Sequence, residues 1–180
     1  GTCQHTWFMG AAWDTFTAGN DPKTQDADGT SGLISFCCYS TNVAKGTVST
    51  IVSPAIAVGG QQAYFNFSVY HYSGTFATED SLTPCAIAAD GSVQTLGDPI
   101  MRDNGTTGWK EYSYPLSGNV VCVALKGYSD YGYNIHVDRI AVSTEQSGVA
   151  VKIADNALVT VYNLSGARVA ERMQRSDVST

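Results

Sequence analysis

The stretch AYFNFSVYHY, residues 63–72, decides the fold class. Phe65, Phe67, Val69 and His71 alternate there with Tyr64, Asn66, Ser68 and Tyr70. Successive side chains of an extended chain point to opposite faces, so this period of two predicts a strand with one buried and one solvated face. Working outward, residues 33–39, 48–53, 82–89, 109–114, 120–127 and 133–142 are short runs of the same kind, rich in valine, isoleucine, tyrosine and phenylalanine. Gly59-Gly60, Asp90-Gly91, Asn104-Gly105 and Ser117-Gly118-Asn119 lie between them and supply residues that tolerate positive φ. No stretch carries the apolar spacing of a long helix. Regularly spaced strand-like runs with turns between them predict an all-β sandwich or barrel.

The 180-residue chain is 43% hydrophobic and only 14% charged, against about 25% charged in an average domain. It is long enough to bury a real core. Its net charge of −6 argues against nucleic acid as a partner, because phosphate binding needs a basic footprint. No apolar run approaches the roughly 20 residues that span a bilayer as a helix. The chain opens on Gly1 with no signal peptide, and the expectation is a processed fragment whose targeting information has been removed. Residues 1–30 hold Trp7 and Trp13, then a polar stretch begins; they read as a first strand followed by a long ordered loop. Either tryptophan could pack under that loop or bind glycan, whereas Trp109 reads as a core residue under its strand.

Residues 144–148 form a short polar break where the charge balance changes. Residues 1–143 hold 12 acidic and 6 basic side chains, and residues 144–180 hold 4 of each. We therefore expect a main β domain over 1–143, a linker over 144–148 and a short C-terminal β-segment over 149–180. In that segment residues 149–153, 158–162 and 167–171 read as strands, with Asn163-Leu164-Ser165-Gly166 turning the last two into a hairpin. Three such strands cannot bury a core alone. The cysteines are Cys3, Cys37, Cys38, Cys85 and Cys122, with no CxxC spacing. The bland reading makes several of them small buried hydrophobes, and Cys85 with Cys122 is the pair to expect if a bridge exists.

Catalytic signatures are missing: the sequence has no HExxH, no P-loop and no GxSxG elbow, and Gly127-Tyr128-Ser129-Asp130-Tyr131-Gly132 is one residue too long for the last. His71 and His136 sit in strand-like runs and read as surface or hydrogen-bonded residues rather than catalytic ones. Glu79, Asp80, Glu111 and Asp138 could supply a glycosidase-like carboxyl pair only if the fold brings two of them together. The strongest candidate is a binding surface. Tyr128, Tyr131 and Tyr133 crowd the glycine-rich stretch GYSDYGY with Asp130 among them. Aromatic faces beside a carboxylate, on a loop carried by a rigid sandwich, suit stacking on sugar rings or anchoring a protein. The competing reading makes them packing residues at a sandwich end.

Several stretches resemble one extracellular family. STIVSPAIAV (residues 49–58), AYFNFSVYHY, DSLTPCAIAADG (80–91), GWKEYSYPL (108–116), VCVALKG (121–127) and NIHVDRIAV (134–142) follow one another as in the MAM-like jelly rolls of the cleaved-adhesin, choice-of-anchor type found on surface proteins of Bacteroidetes. The tail VTVYNLSGARV (159–169) resembles the C-terminal sorting domain of type IX secretion. The resemblance implies a jelly-roll β-sandwich, MAM/concanavalin-like or galactose-binding-like, followed by a β-segment serving export. It implies an extracellular or cell-surface, non-enzymatic module that adheres to a glycan or to a protein of a host or neighbouring cell. An architectural spacer is the alternative, and a carbohydrate-active enzyme a third. It also implies a structural Ca2+, for which Asp26 and Asp28 in DADGT and Asp138 in VDRI are the ligand candidates. Calcium needs 6 to 8 oxygen ligands, and an EF-hand starting at Asp26 is excluded because its twelfth position is Cys37.

Overall fold

The computed structural model describes residues 7–17, 27–29, 32–39, 43–58, 61–73, 79–147, 158–162 and 168–174. The chain divides into two compact units, Gly1–Gly148 and Val149–Thr180.

The first unit is an all-β jelly-roll sandwich. One sheet joins β1 (Phe8–Met9), β4 (Val48–Val52), β10 (Val120–Tyr128), β6 (Ser81–Ala88) and β7 (Val93–Thr95) in that order, with β8 (Ile100–Met101) also on β6. The other runs β2 (Trp13–Thr17), β3 (Gly32–Phe36), β11 (Ile135–Ser143), β5 (Ala63–His71) and β9 (Gly108–Leu116). Every strand pairing in these two sheets is antiparallel. β1, β7 and β8 were not readable as strands, because two or three residues are too few to show a period.

The alternation seen in the sequence sorts side chains as expected on the inner faces. Ile51, Leu82, Ala86, Val123 and Leu125 of the first sheet meet Trp13, Phe36, Phe65, Phe67, Val69, Ile135 and Val137 of the second in one buried cluster. Trp13 packs on Phe36 with ring centroids 5.3 Å apart, and Trp7 leans half-buried on the same core.

On β5 the expected solvated face is buried as well. Asn66, Ser68 and Tyr70 are all covered. The reason is a polar clasp: Asn66 Nδ2 donates to Ser143 Oγ (2.9 Å) and to the Glu145 carbonyl (2.8 Å), and Asn66 Oδ1 accepts from Ser113 Oγ (2.6 Å) and the Ser147 amide (3.2 Å). All four hydrogen-bonding positions of the amide are filled, so its burial leaves nothing unsatisfied. His71 and His136 are likewise fully buried rather than on the surface, with His136 Nδ1 at 2.6 Å from Ser35 Oγ. Trp109 is half-buried, edge-on to Tyr70 at 5.3 Å, rather than under its strand.

The Cys85–Cys122 expectation is overturned: Cys122 is disulfide-bonded, but Cys85 is a free thiol. Ala124 pairs with Cys85 and Cys122 with Ile87, so the two cysteines are diagonal neighbours across β6 and β10. Diagonal neighbours lie about 7–8 Å apart, whereas a disulfide wants Cα atoms within about 4.4–6.8 Å.

In the second unit β12 (Leu158–Tyr162) and β13 (Arg168–Gln174) form an antiparallel pair. The strand expected over 149–153 and the turn at Asn163–Gly166 lie outside the described residues.

Candidate functional site

The ends of β3, β5 and β10 and the start of β6 bring four distant stretches to one end of the sandwich. Asp80, fully buried just before β6, organises them. Its Oδ1 accepts the amides of Asp130 (2.7 Å) and Gly132 (3.3 Å), while buried Ser129 Oγ accepts the amide of Tyr131 (3.1 Å). The loop is tied further by Ser129 N to Thr47 O (2.9 Å) and Gly46 N to Ser129 O (2.7 Å). These bonds hold Tyr131 at φ 61°, a left-handed conformation that costs a bulky L-residue about 1–2 kcal/mol and tends to occur where a side chain must be aimed.

Beneath the loop lies Arg102, also buried. Its Nη1 meets Asp103 Oδ1 at 2.5 Å and its Nε donates to the Asn134 carbonyl at 3.4 Å. The guanidinium lies 3.9 Å from the Tyr72 ring centroid and 5.0 Å from that of Tyr133, so two rings rest on one fixed cation.

Above this base sit three tyrosines, exposed by 63% (Tyr39), 48% (Tyr131) and 38% (Tyr133). Tyr39 stacks on Tyr133 at 5.5 Å and tilts against Tyr131 at 6.0 Å. The Tyr39 amide donates to Asn134 Oδ1 at 3.3 Å. At the rim, Lys45 Nζ pairs with Asp130 Oδ1 at 2.5 Å, and Asp130 Oδ2 accepts the Glu79 amide at 3.2 Å. The Lys45 contact first, and the Glu79 amide second, hold the Asp130 carboxyl below the ordinary carboxylate range. The result is a cluster of rings over a buried charged base, with one ion pair beside it.

Of the four ligand-binding candidates, Tyr131 and Tyr133 enter the cluster and Asp130 lies on its rim. Tyr128 does not join them. It ends β10 and lines a neighbouring hollow with Ser81, Pro99 and Met101. Sequence reading missed Tyr39, Arg102 and Lys45, and took Asp80 only as a catalytic candidate. Tyr39 could be found only through the sheet register: Phe36 pairs with Ile135, which carries residue 39 back toward residues 132–134.

The calcium candidates are partly described. Asp138 is buried on β11, its Oδ2 accepting the Ala27 amide at 2.8 Å and its Oδ1 the Arg139 amide at 2.7 Å. Asp28 is exposed and lies one residue beyond Ala27, so the DADGT loop and Asp138 do meet; Asp26 lies outside the described residues. Among the described residues no three His, Cys, Asp or Glu side chains gather in a way that could hold a metal. Three of the four carboxylates weighed as a glycosidase pair are occupied structurally: Asp80 and Asp138 by backbone amides, and Glu111 by Arg139 at 3.0 Å.

A Tyr131→Gly variant separates aiming from folding. Glycine adopts positive φ freely, so stability is expected to hold or rise by up to about 1 kcal/mol, while any ligand affinity that uses the ring falls. A loss of stability in a urea titration would show that Tyr131 is a packing residue instead.

No protein-family model and no curated protein matches this chain. Its fold does match solved structures. The K1 cleaved adhesin domain of Lys-gingipain from Porphyromonas gingivalis W83 superposes with a TM-score of 0.53 at 15% identity, over 77% of this chain and 98% of that one. A carbohydrate-binding module, TmCBM61, solved in complex with β-1,4-galactotriose, superposes at 0.51 and 9% identity, over 79% of this chain and 91% of that one. At such identities the likeness is one of fold, and residues 1–148 have the β-sandwich fold found in adhesin and carbohydrate-binding modules.

Proposed function

We propose that this chain is an extracellular, non-enzymatic binding module that holds carbohydrate on the tyrosine cluster at the sandwich end. The carrying observation is the mutual contact of the exposed rings of Tyr39, Tyr131 and Tyr133 over buried Arg102. Rings held in place lose little side-chain entropy on binding, and their faces suit the C–H face of a sugar while their hydroxyls serve its edge. The fold shared with an adhesin domain and a carbohydrate-binding module supports the reading. In it, the C-terminal segment with its antiparallel β12–β13 pair serves export, in line with its resemblance to a type IX sorting domain.

Binding to a glycan array, with calcium and with a chelator, tests the proposal. Saturable binding is expected, weakened at least about tenfold by Tyr39→Ala or Tyr133→Ala, the loss of one well-placed ring. Glycan binding that these variants leave intact, or none at all, would overturn it; capture of an extracellular-matrix protein instead would point to a protein ligand. A calcium ion between the loop of Asp26 and Asp28 and Asp138 is a separable proposal, supported by the Ala27–Asp138 contact. Added calcium is then expected to raise the melting temperature of the wild type but not of Asp138→Asn, and equal midpoints in calcium and chelator would count against it.

A further inference from the structure

The inner-face positions of a β-sandwich should be apolar, and one corner of this molecule breaks that rule. Along β5 the inward row reads Ala63, Phe65, Phe67, Val69, His71; on its neighbour β9 the matching row reads Leu116, Tyr114, Tyr112, Lys110, Gly108. The row thus passes from apolar to polar toward His71 and Lys110. Across from it lie the two-residue strand β8 and the loop before it, residues 98–101. Between them a cleft of about 390 Å³ opens, lined by His71, Tyr112, Tyr114, Asp98, Asn104 and the apolar stretch Pro99-Ile100-Met101.

Its hydrogen bonds have a fixed direction. His71 Nδ1 lies 3.2 Å from the Arg102 carbonyl. The Asn104 amide, in the orientation that satisfies both its ends, accepts from His71 Nδ1 and from Lys110 Nζ, each at 3.1 Å, and donates to the Thr106 carbonyl. Both partners of Nδ1 only accept, so the proton is on Nδ1. Burial holds the His71 imidazole below its ordinary range, so it is neutral at pH 7 and Nε2 is bare. The Tyr112 hydroxyl, 2.8 Å away, must therefore donate to Nε2, which leaves its oxygen only able to accept. Asp98 also only accepts, and it lies close enough to Tyr114 to add to the effect of burial in raising that phenol. Lys110, held by Asn104, only donates.

We propose that this cleft is a second binding site, taking a single hydroxylated ring such as a terminal monosaccharide. A vicinal diol can donate to the two acceptors that line the cleft, Tyr112 and Asp98, whereas an anion would meet Asp98; Lys110 bonds to Asn104 of the lining. Tyr114 supplies a rigid wall: it stacks near-parallel to Phe67, 6.0 Å away, and lies so close to Gly97 that a Cβ there would be 2.5 Å from its Cε1. The volume lies at the small end of ligand pockets, about 300–1,000 Å³, so the site takes one or two rings rather than a chain. It uses none of the three exposed tyrosines, shares with their site the Arg102 backbone carbonyl that holds His71, and shares with that proposal the class of ligand.

NMR titration of the full chain with galactose, xylose, mannose and fucose, following the His71 imidazole, tests the site. At least one sugar is expected to shift His71 saturably with a dissociation constant in about the millimolar range. Tyr112→Phe and Asp98→Asn should each weaken that sugar about tenfold, the value of one hydrogen bond, and Tyr131→Gly should leave it unchanged. Asp98 is exposed, so its variant keeps the fold and isolates the contact. The proposal is overturned if no sugar moves His71 saturably, or if both cleft variants bind as the wild type does. Glycan-array binding lost in Tyr133→Ala while the His71 titration persists separates the two sites, and the converse result does so equally.

Discussion

An Arg102→Met variant is expected to lose about 3–5 kcal/mol of stability, the cost of breaking a buried ion pair from one side. The Arg102 and Asp103 side chains are exposed by only 4% and 9%, so removing the guanidinium strands a carboxylate that little water reaches. Asp103 has little else to hold it, since its Oδ2 has no hydrogen-bond partner among the described residues. Methionine keeps the stem length and packing, so the loss reports the charge and not a cavity. The companion variant Arg102→Met with Asp103→Leu should recover most of the loss, because removing both charges also removes the desolvation cost. Urea unfolding with an unchanged m-value is the measurement; a loss below about 1 kcal/mol would place the pair in the class of solvent-screened surface bridges. The single variant should also weaken glycan binding, because the Tyr133 ring loses the cation beneath it.

Gly127→Ala is expected to cost about 1–3 kcal/mol, the range for overpacking a tight core. A Cβ at this position would lie 2.6–2.7 Å from Cγ, Cδ1 and Cδ2 of Phe36. Phe36 cannot yield cheaply: it is fully buried and packed on Trp13. Gly127 is not among the glycines with positive φ, so the effect comes from packing and not from backbone strain. Because Gly127 is on β10 and Phe36 on β3, the contact crosses the sandwich and fixes how closely the two sheets approach. Phe36→Leu placed in the Gly127→Ala background should cost less than it does in the wild type, since the two changes share one space. Thermal or urea unfolding of the four proteins checks this; a Gly127→Ala midpoint equal to the wild type would show that the sheets separate without penalty.

Much of the framework was legible in the sequence because it is written in neighbouring residues. The alternation in residues 63–72 matches β5, Ala63–His71, and the run 120–127 matches β10, Val120–Tyr128. The same local reading misjudged what covered each face. Asn66 looks like a solvent-facing residue, and the bonds it makes with Ser113 and with residues 143–147 make its burial tolerable. Likewise, the placement of both in strand-like runs suggests pairing Cys85 with Cys122, but bridging depends on registration across β6 and β10, which no local pattern encodes.

The tyrosine cluster shows the same division. GYSDYGY announced a glycine-rich aromatic turn by composition, and two of its three tyrosines enter the cluster. Their third ring partner, Tyr39, comes from a stretch more than ninety residues earlier, its amide bonded to Asn134 across 95 positions. Asp80 reads in the sequence as one of four carboxylates that could pair for catalysis and Arg102 is not singled out, until the fold buries both under that turn. Strand identity follows from side-chain alternation, which covalent geometry imposes within a few residues, so the sequence by itself determined an all-β fold, sandwich or barrel, and where most of its strands run. Which loops meet at one end, which polar side chains are buried, and which corner of the sandwich stays open depend on sheet order and register. Those are set by the mutual packing of distant strands, and only the tertiary structure decided them.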